Sequence, residues 1–163
     1  MAQNCRFFSG LYDENGFLSN SFWKPFTLNI KGDVIEFSSV KQAKEYGKAC
    51  LFEDYDIIHE IIATNNPNNL KELGRRIKNF NENIWKQHRN DIVYQAVKAK
   101  FFQNTELRVL LQNTHNDILV YASPSDKIWG IGLLQNDVMA QNPENWDGLN
   151  LLGKILERVR EQL

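Results

Sequence analysis

The chain has 163 residues, the length of about one domain, and 42% of them are hydrophobic and 24% charged, as in ordinary globular proteins. Its 19 Lys and Arg against 20 Asp and Glu give a formal net charge of −1. This balance argues against a general nucleic-acid binder, because such proteins need a basic field to neutralise phosphates. No apolar run approaches the roughly 20 residues of a membrane-spanning helix, so no membrane partner is expected.

Two cysteines, Cys5 and Cys50, lie far apart and match no metal-binding spacing. The N-terminus lacks the basic and then apolar pattern of a signal peptide. We therefore expect a cytoplasmic protein with two structural thiols, and the alternative is a secreted protein with one disulfide. No stretch is typical of a linker, so residues 1–163 are expected to form a single domain.

The first 37 residues are predicted to form strands and loops. Apolar-leaning runs at residues 26–30 and 34–37 flank Lys31-Gly32-Asp33, a sequence typical of a hairpin turn. The pattern becomes helical from Ser38-Ser39, because a serine oxygen can accept an otherwise unpaired N–H of a first helical turn. Apolar residues then follow at helical spacing as far as Cys50.

Five further helices and one strand are predicted along the rest of the chain. The helices span residues 54–64, 67–73, 81–103, 105–112 and 149–163, and the strand spans residues 118–121. Gly74 is expected to end the helix that Pro67 begins. Residues 123–146 are mostly loop. The predicted fold class is α+β, mainly α-helical, with a small N-terminal β-sheet.

The loop that contains Asp126, Trp129 and Gly130 combines an acid, a large aromatic ring and glycines. Loops on a rigid scaffold often hold functional side chains, and a tryptophan can stack on a base while an acid binds ribose hydroxyls or assists proton transfer. The structural alternative is a turn in which Asp126 accepts local N–H groups and Trp129 fills the core. The residues alone do not distinguish the functional loop from the structural turn.

One face of the helix at residues 39–51 is polar, with Lys41, Lys44, Glu45 and Lys48 along it. Lys41 and Glu45 are four residues apart and so are neighbours on the helix surface. The spacing favours a solvated face with one weak ion pair, worth about 0.2–0.5 kcal/mol. The alternative is one wall of a site for an anionic ligand.

Seven short segments, in order from about Phe7 to Leu163, match motifs of one family. They are Phe17-Leu18-Ser19-Asn20; Phe37-Ser38-Ser39-Val40 with Gln42, Lys48-Ala49 and Leu51-Phe52; Leu73-Gly74-Arg75; Trp85; Lys100-Phe101 with Gln103-Asn104; Asp126-Lys127-Ile128-Trp129-Gly130-Ile131-Gly132; and Gly148 with Asn150-Leu151-Leu152-Gly153 and Arg160. Each segment alone is weak, but their order is specific. On these residues the chain resembles the NADAR family, also called YbiA-like.

The resemblance implies an N-glycosidase that hydrolyses the bond between a ribose anomeric carbon and a nitrogen, with no metal or organic cofactor. Similar enzymes act on phosphoribosylamino-pyrimidine intermediates of riboflavin synthesis or on ADP-ribose attached to guanine, so the expected partner is a small ribosyl nucleotide. A carboxylate stabilises the cationic sugar of such a transition state, an aromatic wall holds the base and cations anchor phosphate. The pocket residues that the resemblance implies are Asn20, Lys48, Trp85, Asp126, Trp129, Gly130 and Asn150.

Position 41 departs from the family pattern, because the resemblance implies a catalytic glutamate there and this chain has Lys41. A charged lysine would oppose a developing cation rather than stabilise it. Three interpretations follow. Glu45, one helical turn along, supplies the carboxylate; or the site binds an ADP-ribose-like nucleotide with little or no turnover; or Lys41 is a nucleophile that forms a Schiff base with an opened ribose. An introduced substitution at position 41 is a fourth. The catalytic candidates are therefore Asp126, Glu45 and Lys41.

Overall fold

The computed structural model describes residues 3–163 and divides into two units, one made of the chain up to Ser19 with Thr105–Leu163 and the other of Asn20–Asn104. The elements in chain order are β1 (Cys5–Phe8), β2 (Phe26–Ile30), β3 (Asp33–Phe37), α1 (Val40–Leu51), α2 (Tyr55–Ile62), α3 (Pro67–Arg75), α4 (Glu82–Gln103), α5 (Thr105–Gln112), β4 (Ile118–Tyr121) and α6 (Leu151–Arg160). The predicted α+β, mainly helical class is confirmed.

The unit Asn20–Asn104 contains the predicted hairpin and four helices. Strands β2 and β3 pair antiparallel with Phe26 opposite Phe37, and the turn between them places Lys31 and Gly32 at φ values of 52° and 91°. Glycine is the residue that reaches such positive φ values without a steric cost. Helices α1 and α4 pack against each other, and the core between the elements is formed by buried apolar side chains such as Val40, Ala49, Val93 and Val97.

The N-terminus of α1 is fixed by side-chain caps. The Ser39 hydroxyl accepts a hydrogen bond from the Gln42 amide at 3.2 Å, and the Gln42 side chain accepts one from the Ser38 amide at 2.8 Å. Reciprocal bonds of this kind satisfy the unpaired donors of a first turn. Gln42 Nε2 also donates to the carbonyls of Ile61 and Thr64, at 3.1 and 2.9 Å, which ties α1 to the end of α2.

The other unit is built on a parallel pair that the sequence pattern did not predict. Strand β1 pairs with β4, with Cys5 opposite Ile118 and Phe8 opposite Tyr121. Helix α6 packs on β4, and Val120, Ala122, Ile131 and Ala140 form a buried cluster beside it. The predicted N-terminal sheet is therefore confirmed as the hairpin, while the N-terminal strand itself pairs with a strand far along the chain.

Three predicted helix boundaries are corrected. Helix α3 continues through Gly74 to Arg75, so Gly74 does not end it. The terminal helix is Leu151–Arg160 rather than residues 149–163, because Asn150 has a left-handed φ of 51° that a helix cannot contain. Helix α2 is Tyr55–Ile62, two residues shorter at its end and one at its start than predicted. No helix in residues 3–163 is long and apolar enough to cross a membrane.

Lys100 on α4 is 1% exposed, and its ammonium lies 5.5 Å from the Phe22 ring centroid and 5.0 Å from that of Phe101. Loss of hydration on burial disfavours the charged form and lowers the pKa of Lys100 from 10.5 to about 7. Between those two pH values the unfolded chain holds a proton on this amine that the folded chain has released.

We expect the free energy of unfolding to rise as the pH increases from about 7 towards 10.5, because unfolding takes up the Lys100 proton in that window. The contribution is at most about 1.4 kcal/mol per pH unit. Urea unfolding at pH 7 and pH 9 measures it. Lys100→Met should lose this slope, whereas Lys86→Met, at an exposed position of α4, should keep it. Equal slopes in both variants would contradict the lowered pKa of the buried Lys100 amine.

Candidate active site

The structure places the predicted site residues in two groups, one in each unit. In the unit Asn20–Asn104 the group lies along α1. The Asn20 carbonyl accepts a hydrogen bond from the Lys41 amide at 2.8 Å, so Asn20 is held beside the first turn of the helix. Lys41 itself is half-buried. These contacts fix the position of Asn20 at the point where the resemblance implies substrate binding.

Glu45 is buried, with 5% of the residue exposed. Its Oε1 lies 3.4 Å from the neighbouring Lys44 Nζ, and its Oε2 is buried with no hydrogen-bond partner among the described residues. The predicted solvated face of α1 is therefore wrong, because the helix turns this carboxylate inward. A buried polar atom without a partner is rare in native proteins and often marks a functional group.

Gly74 of α3 creates the space that the Glu45 carboxylate occupies. A Cβ added at Gly74 would overlap Glu45 Oε2 and Cδ. Any residue larger than glycine would therefore have to displace the carboxylate. The sequence pattern identified Gly74 as a helix end, but its role in the structure is to allow this close approach.

Lys48 lies one turn beyond Lys44 on α1, between α3 and aromatic rings. Its Nζ donates to the Gly74 carbonyl at 3.0 Å and is 4.7 Å from the Phe80 ring centroid and 5.6 Å from that of Trp85. Burial lowers the pKa of Lys48, and the nearby Glu45 carboxylate opposes part of that change. The contacts hold the amine in place and keep a positive charge close to Glu45.

Helix α4 adds Trp85 and Arg89, which are four residues apart and so share one face of the helix. Trp85 is 7% exposed and Arg89 5% exposed, and Arg89 Nε is buried without a hydrogen-bond partner. Sequence reasoning missed Arg89. Only its spacing could have indicated burial, since Arg89 stands four residues from both Trp85 and Val93, which are buried on the same face of α4.

The second group, in the other unit, is centred on the Asp126 turn. Asp126 Oδ1 accepts hydrogen bonds from the amides of Ile128 and Trp129, at 3.0 and 2.8 Å. Trp129 is 7% exposed. Asp126 Oδ1 thus accepts local N–H groups and the Trp129 indole is buried, as in the structural alternative considered for this loop. A chemical role for Asp126 and Trp129 stays a prediction.

Gly130 and Asn150 hold this turn against β4 and α6. A Cβ on Gly130 would lie 2.8 Å from the Tyr121 carbonyl oxygen. Asn150 is 1% exposed, its Oδ1 accepts from the Tyr121 amide at 3.0 Å and its Nδ2 donates to the Leu119 carbonyl at 2.9 Å. The Asn150 side chain therefore positions the turn against β4, and its contact with substrate stays a prediction.

Asn150→Asp is expected to lower the free energy of unfolding by about 1–3 kcal/mol, because it places an acceptor against the Leu119 carbonyl where Nδ2 now donates. Aspartate tolerates the left-handed backbone, so the change acts through the hydrogen bond. Urea unfolding measures the loss. Asn145→Asp, at an exposed position, is the matched control, and equal losses in the two variants would contradict the assignment.

Comparison with known proteins identifies the family. The family model described as "NADAR domain" matches residues 7–163. This chain belongs to the NADAR family. The match runs through both units, and every motif that carried the resemblance lies within it.

Three relatives illustrate what this NADAR chain is similar to. Protein irg-1 of Caenorhabditis elegans is 42% identical over 135 residues, which are 82% of this chain and 64% of irg-1. N-glycosidase R617 of Acanthamoeba polyphaga mimivirus is 40% identical over 145 residues, 87% of this chain and 85% of R617. The NMR structure of Escherichia coli YbiA superposes with a TM-score of 0.77 at 28% identity, covering 99% of this chain and 86% of YbiA. The chain therefore resembles N-glycosidases in sequence and fold.

Proposed function

We propose that this NADAR protein is an N-glycosidase that hydrolyses the ribose–nitrogen bond of a ribosyl nucleotide, with Glu45 as the carboxylate that acts on the sugar. The observation that carries the proposal is the buried Glu45 Oε2, which has no hydrogen-bond partner among the described residues. Its place near Lys48, whose Nζ lies 5.6 Å from the Trp85 ring centroid, supports the same conclusion. The similarity to R617 supports the reaction type.

The chemistry follows from the charge that develops during bond cleavage. Departure of the nitrogen leaves positive charge on the anomeric carbon, and a buried carboxylate stabilises it more strongly than an exposed one because the local dielectric is low. The same carboxylate can take a proton from the attacking water. Trp85 offers an aromatic face for the base, and Lys48 provides a cation for an anionic part of the substrate.

Lys41 favours a second candidate function, in which the protein captures an ADP-ribose-like nucleotide without releasing the base. Lys41, Lys44 and Lys48 place three cations along α1 around one carboxylate, an arrangement that suits an anionic ligand. Under this alternative Lys41 contacts the ligand. Lys41→Glu should then weaken capture and, by restoring the family's usual residue, allow release of the base.

The test is chromatographic detection of released base, with calorimetric binding measured in parallel. The substrates are a phosphoribosylamino-pyrimidine and an ADP-ribosylated guanine, and the proteins are the unaltered chain, Lys41→Glu and Asp126→Asn. Release of base by the unaltered chain supports hydrolysis. Binding without release, with release appearing in Lys41→Glu, overturns it in favour of capture. Unchanged turnover in Asp126→Asn assigns Asp126 to its turn alone.

The proposal also covers the domain organisation of the protein and its location in the cell. We infer that residues 1–163 act as one NADAR domain, and the family match across both units supports this. A cytoplasmic location is supported by the free thiols of Cys5 and Cys50, because reducing compartments keep such thiols unpaired.

A further inference from the structure

Phe80 is an exposed aromatic side chain beside the candidate site, on the connection between α3 and α4. It is 43% exposed, although a large apolar ring contributes more to stability when it is buried. Its ring centroid lies 4.7 Å from Lys48 Nζ, closer to that amine than the Trp85 ring centroid at 5.6 Å. Phe80 lies outside every motif that carried the resemblance, so the family pattern does not account for it.

Packing alone does not call for a ring at position 80. Phe80 precedes Asn81, the N-cap of α4, and Trp85 is the fourth residue after that cap. Apolar side chains at these two positions often pack together at the start of a helix, and a leucine could make the same contact. Phe52, at the end of α1, holds the Phe80 ring edge to face, with the centroids 5.3 Å apart and the planes inclined by 65°. The ring is thus fixed beside the amine.

The surroundings of Lys48 show what the ring adds. The side chain is half-buried, so its amine has lost part of its hydration, and burial lowers its pKa. Nζ donates to the Gly74 carbonyl at 3.0 Å, and an ammonium has three donors, so this bond leaves donors for a ligand. The ion pair of Glu45 Oε1, at 3.4 Å, is with Lys44.

An aromatic face stabilises an ammonium without using its donors. The negative face of a ring favours the charged form of a nearby amine by about 2- to 30-fold, depending on how far the amine is desolvated. A carboxylate in the same place would also favour the charged form, but it would occupy the N–H groups and cancel the positive charge that a ligand meets. Phe80 and Trp85 therefore stabilise Lys48 while leaving its charge available.

We propose that Phe80 is a positioning residue: its ring holds the Lys48 ammonium in place and keeps it charged, so that the cation remains available to an anionic ligand. This inference rests on the proposed function for the role of Lys48 as a ligand cation. Three other charged groups act on Lys48. Glu45 of α1 and Glu82 of α4 favour its charged form, and Lys44 of α1 opposes it. Loss of the ring should leave these groups unchanged, so the amine should release its proton at a lower pH.

The experiment is an NMR titration of the lysine side chains, in which the Lys48 signal is assigned by its loss in Lys48→Met. Phe80→Leu keeps an apolar side chain but removes the ring, and we expect the pKa of Lys48 to fall in this variant. Phe80→Tyr keeps the ring and should keep the pKa close to that of the unaltered chain. Phe102→Leu removes an exposed ring near the other end of α4 and is the matched control, with no change expected. An equal pKa of Lys48 in Phe80→Leu and the unaltered chain overturns the proposal.

A fluorinated side chain covers loss of folding, which circular dichroism would detect in Phe80→Leu. Pentafluorophenylalanine incorporated at position 80 keeps an aromatic ring but withdraws the negative charge from its face. It should therefore lower the pKa of Lys48 as the leucine does. An unchanged pKa of Lys48 in this protein overturns the proposal.

Calorimetric binding of ADP-ribose gives a readout that a packing role would not change. Above the Lys48 pKa that NMR gives for the unaltered chain, Phe80→Leu should bind ADP-ribose about 2- to 30-fold more weakly than Phe80→Tyr. Below the pKa of both variants the two affinities should converge. Equal affinities above that pKa overturn the positioning role. If ADP-ribose does not bind even to the unaltered chain while the pKa of Lys48 still depends on Phe80, the ligand role given to Lys48 under the proposed function is refuted and the effect of Phe80 on Lys48 stands.

Discussion

Glu45→Gln is expected to reduce the rate of base release by about 10²- to 10⁴-fold, the range typical of a residue that transfers a proton in the transition state. The amide keeps the shape of the side chain and loses its negative charge, so it can neither stabilise the sugar cation nor accept the water's proton. Ligand affinity should remain close to that of the unaltered chain, because the cations that bind an anionic ligand are untouched. Steady-state kinetics and calorimetry separate the two effects.

The control for this change is Glu72→Gln, which removes a carboxylate from an exposed position of α3. It should leave both turnover and affinity as they are. If Glu45→Gln turns over as fast as Glu72→Gln, Glu45 has no chemical role, and its buried oxygen then needs another explanation.

Gly74→Ala is expected to destabilise the protein, although the same change in an ordinary helix interior stabilises by about 1 kcal/mol. The reason is that the new Cβ would overlap the Glu45 carboxylate. The overlapping atoms are the end of a side chain, which shifts more easily than backbone, so the loss should lie at the lower end of the range for overpacking, about 1 kcal/mol. Because the carboxylate must also move, turnover should fall together with stability.

A double-mutant cycle makes the Gly74 prediction specific. In a Glu45→Ala background the overlap disappears, so Gly74→Ala should become neutral or stabilising there. The two changes should therefore couple by at least about 1 kcal/mol in urea unfolding. If the effects of the two changes on the free energy of unfolding simply add, the close contact between Gly74 and the Glu45 carboxylate is contradicted.

Positions 41 and 45 are one helical turn apart on α1, so Glu45 lies near the position where the resemblance implies a glutamate. The resemblance implies a catalytic glutamate at position 41, and four residues of helix move a side chain by about 6 Å along the axis while keeping it on one face. Glu45 thus presents a carboxylate from the same face of α1. Gly74 provides the space that a carboxylate at this second position requires.

Local features of the fold were predicted from sequence because neighbouring residues determine them. The hairpin follows from the turn at Gly32, and α1 begins where the Ser39 hydroxyl accepts a first-turn amide. The parallel pairing of β1 with β4 could not be predicted, because its partners are more than a hundred residues apart and no local pattern encodes which strands meet. Gly74 was misread for the same reason, since its neighbour Glu45 is on another helix.

The candidate site was predicted only in part. Trp85, Lys48 and Asn20 were identified through motifs, and Glu45 through its distance from Lys41. Burial of Glu45 and Arg89 was not predicted, because helical spacing places a charged residue on a face but does not tell which neighbours cover that face. The hydrogen bonds of the Asn150 side chain to β4 could not be predicted either, because only the tertiary structure shows them, and its contact with substrate stays a prediction.

The most direct test of the central claim is a single-turnover reaction in ¹⁸O-labelled water, with the unaltered protein in excess over a phosphoribosylamino-pyrimidine or ADP-ribosylated guanine. Our account predicts one equivalent of free base and one labelled oxygen on the anomeric carbon of the released ribose phosphate. Glu45→Gln in the same experiment should release base far more slowly. Stoichiometric binding of both substrates with no free base from the unaltered chain would contradict the account and identify a nucleotide-capturing protein.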